Sequence, residues 1–204
     1  MRDNLAKTLP LGKKKNYSFV LRSLNRIYVA PNKNNDMITE TLTTIVKRLF
    51  AGDKAFNSVN NSLVDDLDIE RYLGDWYEIA RYDHPFERGI EYSKAHYDML
   101  PNDMISVTNT GIKDGKTKTA HGKAKRTDET ARLRVSFFGP FYSDYRVMLL
   151  DADYQHALVG SKSSKYLWIL ARTPQLPCEA KATILAEAQR RGYDTKKLIW
   201  VEQD

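Results

Sequence analysis

Tyr72-Leu73-Gly74-Asp75-Trp76-Tyr77-Glu78-Ile79-Ala80-Arg81-Tyr82 is the stretch that decides how this chain folds. From Leu67 onward the apolar residues recur at a period of two, the repeat of a strand with one face buried. Eight such runs follow, over residues 75–82, 93–99, 105–110, 116–125, 132–137, 145–150, 156–161 and 165–172. The breaks between them are turn formers, among them Pro101-Asn102-Asp103, Lys113-Asp114-Gly115 and Asp151-Ala152-Asp153. Short, evenly spaced strands with tight turns predict an all-β fold, an eight-stranded antiparallel up-and-down barrel that closes on itself and so hides its edges. Pro177, Glu179, the apolar Ala182, Ile184, Leu185 and Ala188, and the stop Arg190-Arg191-Gly192 predict a C-terminal helix. Residues 198–201 then read as a short final strand.

Working outward, the 204-residue chain divides by charge. Residues 1–62 hold 11 Lys/Arg against 4 Asp/Glu, whereas the remainder holds 21 against 22. The formal charge of +6 therefore belongs to a basic N-terminal extension, and the barrel domain over 63–204 is near neutral. A neutral barrel excludes nucleic acid as its partner, because phosphate binding needs a clustered positive face. The first 35 residues, rich in Asn and broken by Pro31-Asn32-Lys33-Asn34-Asn35, read as partly disordered. Ile38, Leu42, Ile45, Val46, Leu49 and Phe50 then share one face of an amphipathic helix expected over 37–50. That face has three destinations: the barrel itself, a second copy in a homo-oligomer, or a membrane surface.

Catalytic and cofactor readings find no support in the sequence. His84, His96, His121 and His156 show no metal-ligand spacing, and no nucleophile, dinucleotide or phosphate-loop motif occurs. The expectation is a non-enzymatic protein without a cofactor. The single cysteine, Cys178, excludes an intramolecular disulfide and reads as a small residue at a helix start. The apolar character of residues 17–30 is broken by Arg22, Asn25 and Arg26, so it does not make a signal-peptide core, and no cysteine near residue 20 offers a lipid anchor.

The extended block Tyr72 to His84 with Phe86-Glu87-Arg88-Gly89 resembles the lipocalin family, and within it the bacterial members related to apolipoprotein D. So do Val135-Ser136-Phe137-Phe138-Gly139-Pro140-Phe141-Tyr142 and Tyr166-Leu167-Trp168-Ile169-Leu170-Ala171-Arg172-Thr173-Pro174. The resemblance covers about residues 65–203. It makes Gly74 and Trp76 the first family motif, Ser143-Asp144-Tyr145 the second and Arg172 the third, with Ser143 where Thr is usual. It implies a cup for a hydrophobic small molecule or lipid (fatty acids or lysophospholipids) and a role in membrane upkeep. It further implies that Arg172 lies across the Trp76 ring at the closed end. Bacterial members sit at the outer membrane on a lipidated cysteine, so periplasm or outer membrane is the location by analogy, with residues 1–62 in place of the usual leader.

Strict alternation along the first strand would send Trp76, Glu78, Ala80 and Tyr82 inward and Tyr77, Ile79 and Arg81 outward. In the last long strand Tyr166, Trp168, Leu170 and Arg172 share the inner face. The expected ligand contacts are Glu78, Tyr82, Tyr166 and Trp168, with Phe138 on an aromatic rim. Glu78, the one acid placed inside, would pair with an inward Arg or orient a head group. The competing reading is a barrel filled by these same side chains, serving as an interaction module through its N-terminal helix.

Overall fold

The computed structural model describes residues 59–203. A short helix α1 (Ile69–Tyr72) precedes eight strands: β1 (Gly74–Tyr82), β2 (Glu91–Met99), β3 (Met104–Lys113), β4 (Lys116–Arg126), β5 (Arg132–Phe138), β6 (Phe141–Leu150), β7 (His156–Gly160) and β8 (Leu167–Ala171). Helix α2 (Cys178–Arg190), a 3-10 turn (Thr195–Lys197) and β9 (Leu198–Trp200) complete the order. All neighbouring strands pair antiparallel in sequence order from β2 to β8, and β1 pairs with both β8 and β2, which closes the barrel. β9 adds to the end of β1 from Ala80 to Tyr82. The all-β barrel, helix and final strand expected from the pattern are all present. The expected helix over 37–50 lies outside the described residues. Residues 59–62, assigned by charge to the extension, bond to the barrel domain: the Asn60 amide donates to the Arg191 carbonyl at 2.8 Å and Asn61 Nδ2 to the Ser161 carbonyl at 3.2 Å.

Helix α1 was not legible as a helix. Asp68 caps it by accepting from the amides of Glu70 and Arg71, and it spans only four residues, too few to show a period. It turns Ile69 and Tyr72 into the barrel. Helix α2 lies on the outer wall, where Ile184 and Ala188 pack with Ile79, Leu158, Leu167 and Ile169. The inner core is a separate cluster centred on Trp76, Ile105, Leu133, Val147 and Val159.

The alternation expected along β1 holds to Glu78 and then fails. Opposite β8, Glu78 pairs with Leu170 and Ala80 with Ile169, so a β-bulge places one extra residue at Ile79. Every side chain beyond it changes face. Ala80 and Tyr82 join the helix-side cluster, and Arg81 turns inward to meet Glu78. Tyr82 is therefore not an inner-wall residue: its ring meets Tyr193 edge-on and its hydroxyl donates to the Asp194 carbonyl. Bulges in β6, between Val147 and Leu149, and in β5, between Val135 and Phe138, shift faces in the same way.

Candidate functional site

The closed end is built from the three family motifs. Gly74 has φ +87°, which a side chain tolerates poorly, and a Cβ there would come within 3.5 Å of Arg172 Nη1. Trp76 is 0% exposed, and its Nε1 donates to the Tyr72 carbonyl at 2.8 Å. The Arg172 guanidinium lies 3.9 Å from the Trp76 ring centroid, as expected. It also donates to the carbonyls of Asp75 and Arg71, each at 2.7 Å, and of Tyr154 at 3.2 Å. It thereby ties α1, the start of β1 and the β6–β7 turn to the end of β8. Asp144, on the outer wall, accepts from Arg132 Nε at 2.7 Å.

Above this base sits a floor of three phenols. Tyr145 Oη lies 2.7 Å from Tyr72 Oη and 3.3 Å from Tyr97 Oη. Burial raises all three, Tyr97 to about 12, so they stay neutral and act only as hydrogen-bonding groups.

From the floor toward the other end, the inward positions on β4, β5 and β6 open to solvent, whereas Glu78 and Arg81 on β1, Ser93 on β2 and Gly111 on β3 stay buried. Along β4 they run from buried Ala124 through half-buried Gly122 to exposed Ala120. Along β3, Ile105 and Val107 are buried and Asn109, opposite Ala120, is half-buried. On β5 and β6, Leu133 is buried, Tyr145 and Val135 are half-buried, and Ser143, opposite Val135, is exposed. A barrel plugged by its own side chains would bury these positions throughout. This one is a cup, closed at the Trp76 end and open at the other.

The mouth carries both aromatic and charged groups. Tyr166 stacks on Trp168 with ring centroids 5.9 Å apart and planes within 8°. His84 packs against both, and against Phe86. Phe138 stands 64% exposed at the β5–β6 hairpin and Phe86 43% exposed in the β1–β2 loop. Phe137 instead turns in and covers Gly122, so the aromatic hairpin divides between the rim and the interior. Glu78 finds the inward arginine that its burial demanded: Arg81 Nη1 donates to Glu78 Oε1 at 2.5 Å. Burial first, and the charge of Glu87 second, push the Glu78 carboxyl up to about 8 despite Arg81.

Of the five expected ligand contacts, Glu78, Tyr166 and Trp168 stand together on the β1–β8 side of the mouth, Phe138 stands apart on the rim, and Tyr82 is outside. Sequence reasoning missed Arg81, whose inward turn depends on the bulge, and His84 and Glu87, which are loop residues with no face to read. The one available signal was a second acid, Glu87, within the resembling stretch. Cys178 is exposed, and the exposed side chains of His96, Asp75 and Asp98 bond to one another on the outer face.

Fold and site together define a class: a closed antiparallel β-cup with a dry base and a mouth of aromatic and charged side chains. The lipocalin-like domain family matches residues 67–203, and the chain belongs to the lipocalin family. The outer membrane lipoprotein Blc of Escherichia coli strain K12 is 47% identical over 146 residues, 70% of this chain and 82% of its own length. Mouse apolipoprotein D is 32% identical over 150 residues, 68% of this chain and 78% of its own. Among solved structures, insecticyanin from the tobacco hornworm superposes with a TM-score of 0.60 at 19% identity, over 70% of this chain and 84% of its own. Membership places the chain in a family of binding and transport proteins for small hydrophobic molecules.

Proposed function

We propose that this protein carries single-chain lipids, fatty acids or lysophospholipids, at the periplasmic side of an outer membrane. The observation that carries this reading is the graded exposure of inward positions: a dry floor, a half-buried apolar wall of Val135, Ala95 and Trp168, and an open mouth. An acyl chain fits such a wall, and a polar head group is met by the mouth. Exposed Phe86 and Phe138 beside the mouth give the rim two rings to set into a lipid surface during loading. The similarity to an outer membrane lipoprotein supports that location.

Native mass spectrometry of the purified protein tests the reading. The expected result is a one-to-one adduct in the mass range of a fatty acid or lysophospholipid, and restoration of that adduct after delipidation and addition of oleate or lysophosphatidylcholine. Absence of any adduct, together with no displacement of a fluorescent fatty acid, would contradict it.

A further inference from the structure

The loop between β1 and β2, residues 83–90, is fastened to the barrel by buried charge. Arg81, turned inward by the bulge, donates through Nη1 to Glu78 Oε1 at 2.5 Å and through Nη2 to the carbonyls of Glu87 at 2.7 Å and Ile90 at 2.9 Å. From the loop side, Glu87 Oε2 accepts from Trp168 Nε1 on β8 at 3.1 Å and lies 2.8 Å from His84 Nε2. That His84 approach is off the line of a good hydrogen bond, and His84 Nδ1 has no hydrogen-bond partner although the residue is 4% exposed. Glu87 thus draws the loop across the mouth to the inner face of β8, while Arg81 holds the two loop carbonyls. Arg81 bonds both to the Glu78 carboxyl and to the Glu87 carbonyl, and the negative charge of Glu87 makes ionisation of buried Glu78 harder.

We propose that Glu78, Arg81, Glu87 and His84 form a proton-operated latch, which holds the 83–90 loop over the β1–β8 side of the mouth while Glu78 is protonated and loosens it when Glu78 ionises. The latch itself is a property of the empty protein; its consequence, gated lipid exchange, rests on the carrier reading above.

The charge count sets the direction. Arg81 is the one cation within bonding distance of Glu78 among the described residues, and its second nitrogen is committed to two carbonyls. His84, in the loop, acts on Glu87, and the remaining groups facing the cluster bring no further positive charge. Tyr97, from β2, is neutral, since burial pushes its phenol up. Gln203, from the C-terminal segment, donates to the carbonyls of Glu78 and Ser93. Asp83 points to solvent and pairs with Arg88. Burial pushes Glu87 up too, but His84, the Trp168 indole and Arg81 outweigh it and hold that carboxyl below its ordinary range. Glu78 is pushed the other way, so in rising pH it is the Glu78 proton that leaves within the neutral-to-alkaline range. Its departure adds a second negative charge to the buried cluster whose hydrogen bonds, through Arg81 and Glu87, fasten the loop.

Fluorine NMR of the full chain labelled with 5-fluorotryptophan reads the latch at Trp168, whose signal is assigned with Trp168→Phe. Between about pH 6 and pH 9.5 the Trp168 signal is expected to shift, with its midpoint far above the ordinary carboxylate range, while Trp76 at the closed end stays still. Tryptic cleavage after Arg88 should quicken several-fold over the same range. Glu78→Gln, which keeps a neutral hydrogen-bonding group at every pH, should abolish both changes. Glu87→Gln should hold the Trp168 signal and the loop cleavage rate independent of pH, and it serves where Glu78→Gln folds poorly. A Trp168 signal that does not titrate, or that titrates equally in Glu78→Gln, overturns the latch. Release of a bound fluorescent fatty acid should quicken several-fold with pH in the wild type alone. If no fatty acid binds while the Glu78-dependent transition remains, the carrier reading fails and the latch stands.

Discussion

The two ends of this barrel use the same strands for opposite purposes. At the closed end the inward side chains are large and dry; Trp76 is matched by one carbonyl and Arg172 by three. At the open end, small or half-exposed inward positions on β4 to β6 face a buried charged cluster on β1, and buried polar atoms are left over, among them Arg81 Nε, His84 Nδ1 and Asn109 Oδ1. Unmatched buried polar groups cost stability, and a fold tolerates them where something else is to be bound or moved. The switch between the two ends occurs within β1, at the bulge after Glu78.

The comparison breaks most easily at Trp76. Trp76→Ala opens a cavity in the driest part of the molecule and should cost about 3–5 kcal/mol, a large share of the roughly 5–15 kcal/mol of a typical domain. Urea denaturation should show a barely folded barrel. Arg172→Ala strands three carbonyls and removes the ring contact, with an expected loss of about 1–3 kcal/mol and no direct loss of ligand contact. At the other end, Trp168→Ala should destabilise less than Trp76→Ala, because the ring is only half-buried, yet lower fatty-acid affinity by about tenfold, or ~1.4 kcal/mol. Should Trp76→Ala fold normally and lose only ligand, the division between base and mouth is wrong.

Smaller effects sharpen the comparison further. Glu78 holds its proton more tightly in the folded chain than in the unfolded one. The Glu78 contribution to stability is therefore full below the usual carboxylate range and is lost as pH rises through about 8, whereas the lowered carboxyls of Asp75, Glu87 and Glu187 act the opposite way and lose their contribution in acid. Glu78→Gln should flatten that decline in denaturation curves taken across pH. Phe138→Ser should change stability by no more than about 0.5 kcal/mol while slowing uptake of fatty acid from vesicles.

The barrel was legible because its cause is repeated in every strand: a period of two, punctuated by turn residues, leaves few other closures. The closed-end motifs were legible for a related reason, since Gly74, Trp76 and Arg172 act through short-range geometry at strand ends. The mouth was not, and β1 shows why. A period-two reading carries a face assignment along the whole strand, so a single extra residue at Ile79 reverses Ala80, Arg81 and Tyr82 at once. Nothing in Glu78-Ile79-Ala80 marks a bulge, because no glycine stands there. Glu78 was still placed inside because it precedes the bulge, while its partner Arg81 was assigned to the wrong face. His84 and Glu87 became visible only once the loop was seen to fold back on β8.

The most direct test of the central claim, a dry base beneath a lipid-accepting mouth, is photo-crosslinking with a fatty acid that carries a diazirine at its chain end. Adducts are expected on inward residues at the phenol floor and above it, such as Tyr97, Tyr145 and Val135, competed away by excess oleate and absent from Trp76. Adducts confined to the outer wall beneath α2 or to the exposed face of β9, or labelling that oleate does not compete, would contradict it.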